Sequence, residues 1–226
     1  MITQHPSFEY IPDETVLWQY MSITKFLFLI KNKKLHFHRI DDFLDKNEGI
    51  LSILDKKSLP FYKDTEEWKR YCEEDRKRFF ISCWIKSPIE QSLMWYAYGK
   101  NGIAIRSTAG AMMRSMEFDK EHDVKMIGVR YIDKDKQTSQ IPGREINWWH
   151  YFTTKRKFFE MENEVRLLFF DQEKKYKEKG INLDVITNEL IQEIKVDSTM
   201  PEFEYNLICQ ETINSGLNVL PEKSNL

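Results

Sequence analysis

The chain has 226 residues, which suits one sizeable domain better than two. Hydrophobic residues make up 41% of the sequence and charged residues 31%, so a normal core can form and disorder is not expected. The net charge of -2 excludes the broad basic field that binds nucleic acid in bulk, but it allows a local basic patch.

The sequence predicts a cytoplasmic protein that does not associate with membranes. Its longest apolar stretch, Phe26–Ile30, is far shorter than the roughly 20 residues that a membrane-spanning helix needs. Charged residues near the N-terminus interrupt any apolar region of a signal peptide, so we expect none. The cysteines are odd in number, widely spaced and without a CxxC pair, which is typical of reduced thiols. They are Cys72, Cys83 and Cys209.

The first part of the chain alternates strands and helices. Hydrophobic period and turn residues predict a strand at Val16–Met21, then an apolar helix over Ser22–Lys31 that its first residue caps. A second strand at Leu35–Arg39 and a polar loop at Asp41–Gly49 follow. The spacing of apolar residues then predicts an amphipathic helix over Asp64–Arg78.

The middle of the chain continues this alternation. Buried-type and alternating patterns predict strands at Phe79–Trp84, Gly102–Arg106 and Val124–Ile132. A short helix at Glu90–Tyr98 and a capped helix at Ser107–Met116 are predicted between them.

The last part of the chain predicts the fold class. A polar loop at 133–146 precedes a strand at Glu162–Phe170, and a charged segment then leads to Ile191–Val196. A final helix is expected between Ser198 or Thr199 and Gly216. Strands mixed with helices at irregular intervals predict a single α+β domain over residues 1–226, with a central mixed or antiparallel sheet and flanking helices.

Several common site motifs are missing from the sequence. It contains no GxGxxG, GxxxxGK[ST] or GxSxG, which argues against a Rossmann turn, a P-loop and an α/β-hydrolase. His36 and His38 would share a strand face, but no third ligand is suggested nearby. We interpret them as surface histidines and predict no metal site.

The segment Glu162–Arg166 has the sequence E-x-E-x-R. If it is a strand, Glu162, Glu164 and Arg166 point to one face. Two neighbouring carboxylates raise each other's pKa unless a cation intervenes, and the arginine is placed to do so. Taken alone, the pattern fits a ligand-binding carboxylate pair and a solvated strand face with a salt bridge equally well.

Two other segments are rich in groups that bind ligands. Leu93–Arg106 carries an aromatic cluster that breaks at Gly99 and Gly102, and its flat side chains suit stacking on a nucleobase or nicotinamide. Burial in the core is the favoured reading for Trp95 alone. Lys155–Lys157 lies beside several aromatic residues, as in a site for single-stranded nucleic acid, although a solvated basic edge is slightly favoured.

Taken in order, five blocks resemble a widespread bacterial family of unknown function. Its members begin L-[YW]-x-Y-x-S, continue with an F-x-D-x-x-E-G loop and an L-M-W-x-x-Y block, and end with an E-x-E-x-R strand and a K-S-x-L tail. In this chain the blocks are Leu17–Ser22, Phe43–Gly49, Leu93–Tyr98, Glu162–Arg166 and Lys223–Leu226.

The layout of this family looks like the ADP-ribosyltransferase fold, in which a late strand carries the catalytic glutamate. The resemblance implies that Glu164 is catalytic and that Glu162 is its acceptor-side partner. Tyr20, counted with the catalytic residues, and Gln19 stand where a first-strand His or Arg normally holds the ribose of NAD. The resemblance further implies stacking on nicotinamide and contacts to the pyrophosphate. The residues are Trp95 and Tyr98 for stacking, and Arg39 and Arg106 for the pyrophosphate.

The resemblance implies transfer of ADP-ribose from the substrate NAD to a macromolecule, either nucleic acid or protein, without a metal. Such an enzyme would act as a bacterial toxin or phage-defence effector, restrained by a neutralising antitoxin protein. Two alternatives stay open: a catalytically inactive module that senses NAD or another nucleotide, and a protein-interaction subunit of a defence or toxin–antitoxin system. In each case we expect the segments Trp18–Glu48, Leu93–Arg106 and Glu160–Arg166 to meet at one pocket.

Overall fold

A ten-stranded mixed sheet forms the centre of the computed structural model, which describes residues 1–43, 45, 55, 66–138 and 148–226. A separate two-stranded ribbon, β7 with β8, lies beside it. The strands in the described residues are β1 Ile2–Gln4, β2 Val16–Met21, β3 Lys34–Arg39, β4 Phe79–Lys86, β5 Ile103–Thr108, β6 Val124–Gly128, β7 Arg130–Ile132, β8 Thr154–Arg156, β9 Glu164–Phe170, β10 Gly180–Asp184, β11 Glu193–Val196 and β12 Pro221–Lys223.

Helices flank the sheet, and none of those in the described ranges is long and apolar enough to cross a membrane. The α-helices there are α1 Ile23–Asn32, α2 Glu66–Arg76, α3 Ser92–Met94, α4 Ala109–Ser115, α5 Trp148–Phe152, α6 Thr187–Leu190 and α7 Glu202–Asn214. A π-helix at Trp95–Gly99 continues α3, and 3-10 turns occupy Ile40–Asp42 and Lys157–Glu162.

The sheet divides at β4. Its strand order is β1-β6-β9-β4-β2-β5-β11-β12, and β3 pairs with β4 as a branch that also carries β10. On the edge of β4 that faces away from β9, Phe80 and Ile81 pair with β3, whereas Ile85 and Lys86 pair with β2. The two partner strands therefore diverge beside residues 82–84, and a cleft opens between them.

Strand β9 is buried on both faces, which places its polar residues inside the protein. Val165, Leu167 and Phe169 belong to the main core beneath the sheet. On the opposite face, Leu168 packs with Phe152 and the neighbouring strand residues in a second core cluster. The alternative of a solvated strand face for Glu164 and Arg166 is thus wrong.

Most predicted elements are confirmed, and the molecule is a single mixed α/β fold with a central mixed sheet and flanking helices. The strand at Val16–Met21 matches its predicted bounds, and Ser22 caps α1 by accepting a hydrogen bond from the Lys25 backbone N–H at 3.4 Å. Gly216 follows α7 with a φ of 73°, the left-handed conformation that favours glycine at a helix end.

Four element predictions need correction. The predicted strand Val124–Ile132 is two strands, because β7 leaves β6 to pair in parallel with β8. The predicted strand Glu162–Phe170 begins only at Glu164, since Asn163 has a φ of 41° and ends the preceding 3-10 turn. The charged stretch after it leads to an unpredicted strand, β10. Neither Ser198 nor Thr199 caps α7, which begins after Pro201.

Some predictions lie outside the described residues. Of the loop block Phe43–Gly49, the structure describes only Phe43 and Asp45. The predicted first residues of α2, at positions 64 and 65, and positions 139–146 of the predicted polar loop also fall outside the described ranges.

Candidate functional site

A cavity of about 530 Å³ occupies the cleft where β2 and β3 diverge from β4. Residues from all three segments expected to meet at a pocket line it, together with residues of β4 and β8. They are Trp18, Gln19, Tyr20, Lys25, His36, His38, Asp42, Phe43, Asp45, Ile81, Ser82, Cys83, Ile85, Tyr98, Lys155, Phe159, Glu162 and Glu164.

The side chain of Gln19 closes the gap between the diverging strands at the base of this cavity. Its Nε2 donates to the hydroxyl of Ser82 and to the carbonyl oxygen of Cys83, both at 3.1 Å. An amide here satisfies polar groups of β4 at the point where neither β2 nor β3 pairs with it. Gln19 therefore helps to hold the cleft in shape, in addition to lining it.

The carboxylate of Glu164 is the most deeply buried acid of the cavity wall. Its Oε1 accepts from Arg166 Nε at 2.8 Å and its Oε2 from Arg166 Nη2 at 3.2 Å, a bidentate pair. Lys155 Nζ donates to Oε2 at 3.3 Å. The Glu164 side chain is 2% exposed and that of Arg166 0%, so each charge depends on the other for compensation.

Electrostatics fix the protonation of Glu164. Burial raises the pKa of its carboxyl, but the charges of Arg166 and Lys155 outweigh that effect and lower the pKa to about 2. Burial raises the pKa of the neighbouring Cys83 thiol, and the negative charge of Glu164 raises it further. At neutral pH the cavity wall therefore carries a carboxylate beside a neutral thiol.

Glu162 approaches the same lysine from a different element. The left-handed residue Asn163 separates the two glutamates, and its Nδ2 donates to the carbonyl oxygen of Lys86 at 2.8 Å. Lys155 Nζ donates to Glu162 Oε2 at 2.5 Å, and the Tyr98 hydroxyl donates to Glu162 Oε1 at 2.8 Å. The two carboxylates thus share one cation although they do not share a strand.

Tyr98 is a neutral hydrogen-bond donor in this arrangement. Burial and the negative charge of Glu162 raise the pKa of its hydroxyl well above the ordinary value. Tyr98 as a whole is 51% exposed, so part of its ring contacts solvent where it lines the cavity. This position suits the expected role as a stacking surface.

Tyr20 and Trp95 contact each other in an apolar cluster beside the cavity. Their rings meet edge to face, with centroids 5.2 Å apart, and both residues are buried. The Tyr20 hydroxyl accepts from the backbone N–H of Gln91 at 2.9 Å, and burial raises its pKa to about 12. Trp95 donates from Nε1 to Glu90 Oε2 at 2.9 Å and does not line the cavity, so it lies in the core cluster and not at the stacking position that the resemblance implied.

The two arginines expected at the pyrophosphate lie elsewhere. Arg39 forms a bidentate pair with Asp41, with Nε 2.7 Å from Oδ1, and donates to the carbonyl oxygen of Lys177. Arg106 on β5 contacts Gln192 and lies 3.9 Å from a carboxylate oxygen of Glu193. Neither arginine lines the cavity. Arg39 is held by a carboxylate two residues along the chain and by the segment before β10, whereas Arg106 contacts residues at the start of β11.

Lys155 is a central site residue that the sequence placed in a basic segment but did not connect with the two glutamates. The basic segment Lys155–Lys157 is neither a solvated edge throughout nor an extended cationic surface, because the Lys155 side chain is only 11% exposed. Its ammonium also lies 4.7 Å from the centre of the Phe159 ring. The basic segment ahead of the glutamates was the available signal, but it did not show that Lys155 on β8 contacts both Glu162 and Glu164.

The opposite wall of the cavity carries two histidines. The rings of His36 and His38 are 5.9 Å apart, and a second cavity of about 370 Å³ adjoins this wall. The two cavities share four lining residues: Gln19, Tyr20, Lys25 and His36. Within the described ranges, no group of three or more His, Cys, Asp or Glu side chains is arranged to hold a metal ion.

Comparisons with protein-family models, with curated proteins and with solved structures found no match to this chain.

Proposed function

We propose that this protein transfers ADP-ribose from NAD to a macromolecule. The reaction would take place at the part of the cavity lined by Glu162 and Glu164, called the carboxylate wall below. The observation that supports this most directly is the convergence of Glu162, Glu164 and Tyr98 on one cavity with Gln19 and Tyr20. These are the residues to which the family resemblance assigns catalysis, stacking and ribose contact. An ADP-ribosyltransferase-like arrangement of the fold is part of the same proposal.

The proposed reaction exchanges one bond at the ribose carbon that carries nicotinamide. The bond from that carbon to the ring nitrogen breaks, and the electron pair leaves with nicotinamide, which becomes neutral. The ribose then carries oxocarbenium-like positive charge, and an oxygen or nitrogen of the acceptor bonds to the carbon and releases its proton. A fixed anion beside the ribose stabilises this developing charge.

Glu164 has the protonation state that such catalysis needs. With a pKa of about 2, it is anionic throughout the physiological range. Arg166 and Lys155 hold it in one orientation, so no reorganisation is required during the reaction. Glu162 is the more exposed carboxylate, at 10% of its side chain against 2%, and is the acceptor-side group in this proposal.

Labelled NAD and cell extract test the proposal directly. We expect label transfer by the wild type and a loss of about 100-fold or more in Glu164→Gln, as for removal of one stabilising group. Glu160→Gln is the matched control, because Glu160 is exposed in the same segment and does not line the cavity. Equal transfer by both variants, at equal melting temperatures, would reject the catalytic role of Glu164.

A second candidate function is a binding module that senses NAD without consuming it. The observation in its favour is that both oxygens of Glu164 are occupied by Arg166 and Lys155. In this case NAD raises the melting temperature of the wild type, but neither nicotinamide release nor label transfer is detected. Measuring both quantities on one preparation separates the two functions.

The biological setting is a further part of the proposal. A transferase of this kind would act as a bacterial toxin or phage-defence effector in the cytoplasm, with nucleic acid or protein as acceptor. Growth after expression tests this, since toxicity that disappears in Glu164→Gln but persists in Glu160→Gln, with both variants folded at equal melting temperatures, points to an active effector. Treating the labelled product with nuclease or with protease then identifies the class of acceptor.

A further inference from the structure

Among the described residues, four acids line the cavity, and each has a cationic partner. Lys155 pairs with Glu162, and Arg166 pairs with Glu164. The two aspartates pair with cations that do not line the cavity, and Asp42 also lies 3.3 Å from Nε2 of the lining residue His38. Asp42 lies 2.6 Å from Lys179, and Asp45 lies 3.1 Å from Arg156. The negative charge of the wall is therefore compensated within the protein.

Lys25 is the exception among the cations of the wall. It lines both cavities, and it has no ion-pair partner within the described part of the chain. Lys34 on the smaller cavity, by contrast, pairs with Asp184 at 2.8 Å. Among the described lining residues, the charge without an ion-pair partner is therefore positive and lies where the two cavities meet.

Two histidines line the same part of the groove. His36 lines both cavities with Lys25, and His38 lines the larger one, where its Nε2 lies 3.3 Å from Asp42 Oδ2. The His36 ring is held in place, because Nδ1 lies 2.8 Å from Asn182 Oδ1 and the ring passes over Gly180. A Cβ on that glycine would lie 2.5 Å from His36 Cε1, so the close approach requires glycine.

We infer that Lys25, His36 and His38 bind a phosphate group, the pyrophosphate of a dinucleotide, at the junction of the two cavities. A ligand of this kind has an anionic centre and a nucleoside at each end, which matches one positive junction between two adjoining cavities. The end at Glu162 and Glu164 is charge-compensated and offers carboxylates to sugar hydroxyls. The identity of the dinucleotide rests on the proposed function, whereas anion binding does not.

Titration calorimetry with inorganic pyrophosphate tests the site without requiring any reaction. We expect the wild type to bind pyrophosphate, and Lys25→Ala and His36→Ala each to raise the Kd about tenfold, because each removes a charge-assisted contact. Both side chains are exposed, so the fold should tolerate the changes. Lys31→Ala is the control, since Lys31 lies on the same helix, pairs with Glu211 and lines neither cavity.

Sulfate distinguishes the histidine contribution, because its charge is constant between pH 8 and pH 5.5. Burial lowers the pKa of His38, as do His36 and Lys25, whereas Asp42 raises it. We expect sulfate to bind more tightly as the pH falls and the His38 imidazole gains a proton. This gain should be absent in the His38→Ala variant.

The outcomes separate this inference from the proposed enzyme. Pyrophosphate binding that Lys25→Ala weakens and Lys31→Ala preserves supports the site, even when no label is transferred from NAD. No binding of pyrophosphate to the wild type at millimolar concentration would overturn it. Equal affinity in the wild type and in the Lys25→Ala, His36→Ala double variant would overturn it as well.

Discussion

The two walls of the cavity are built in opposite ways. On the carboxylate wall, Glu164 and Arg166 are almost fully buried and compensate each other. On the part of the wall where the two cavities meet, the junction wall, Lys25 is exposed and has no ion-pair partner in the described ranges. His36 is exposed there as well. The comparison shows that changes on the first wall should affect folding and chemistry together. Changes on the second should affect ligand binding alone.

The largest expected effect is on stability, from Arg166→Met. The substitution leaves Glu164 buried without its bidentate partner, which costs about 3–5 kcal/mol in the free energy of unfolding. Urea denaturation measures it. Arg114→Ala is the control, because that exposed pair with Glu189 should contribute at most about 1 kcal/mol. Similar losses in the two variants would contradict the comparison between buried and exposed charges.

The pH dependence of the free energy of unfolding should reflect the pairing of Glu164 with Arg166. The pKa of Glu164 is lowered from 4.5 to about 2 in the folded protein, so its contribution is complete above the unfolded value. It is lost as the pH falls from about 4.5 through about 2, and amounts to roughly 3 kcal/mol. Between about pH 4.5 and about pH 2, the free energy of unfolding should depend less steeply on pH in Glu164→Gln than in Glu160→Gln. An unchanged slope would show that Glu164 does not titrate as described.

Tyr20→Phe should have an intermediate effect. It removes the hydroxyl that accepts from the backbone N–H of Gln91, and an unsatisfied buried donor costs about 1–3 kcal/mol. Tyr96→Phe is the matched control, because that residue is 80% exposed and should change stability by less than about 0.5 kcal/mol. A loss of label transfer at unchanged stability would instead support the catalytic role expected of Tyr20.

The smallest effect should come from Gly180→Ala. The added Cβ displaces the His36 ring, so we expect the Kd for pyrophosphate to rise about threefold, which is under 1 kcal/mol. Gly128→Ala is a close control, because a Cβ there meets no atom within 4 Å. If both alanine variants bind pyrophosphate as the wild type does, the position of His36 is unimportant for binding.

Local signals were sufficient for much of the fold. Hydrophobic period and turn residues defined β2, and a capping serine with an apolar run defined α1, because both are determined by neighbouring residues. The start of β9 could not be read in this way, since Asn163 adopts its left-handed conformation against Lys86 of another strand. The E-x-E spacing suggested a shared face, but tertiary contacts decided the geometry.

The site was predicted in part for the same reason. The sequence identified the two glutamates and Tyr98, which lie on the cavity wall together. It assigned anion binding to Arg39 and Arg106, whose partners are Asp41 and Glu193 rather than cavity groups. The contact of Arg106 with Gln192 joins residues that are far apart in the sequence, so local spacing does not indicate it, whereas the pair of Arg39 with Asp41 is local.

The left-handed conformation of Asn163 has a consequence for sequence variation. Its φ of 41° is open to asparagine, aspartate and glycine but unfavourable for β-branched residues. In a library that randomises the position and selects for folded protein, Asn, Asp and Gly should survive, whereas Val and Ile should be eliminated. Asparagine should be enriched over glycine, because only its side chain reaches the Lys86 carbonyl. Asn163 is therefore constrained by its backbone conformation and by its hydrogen bond to Lys86, and not by a role in the reaction.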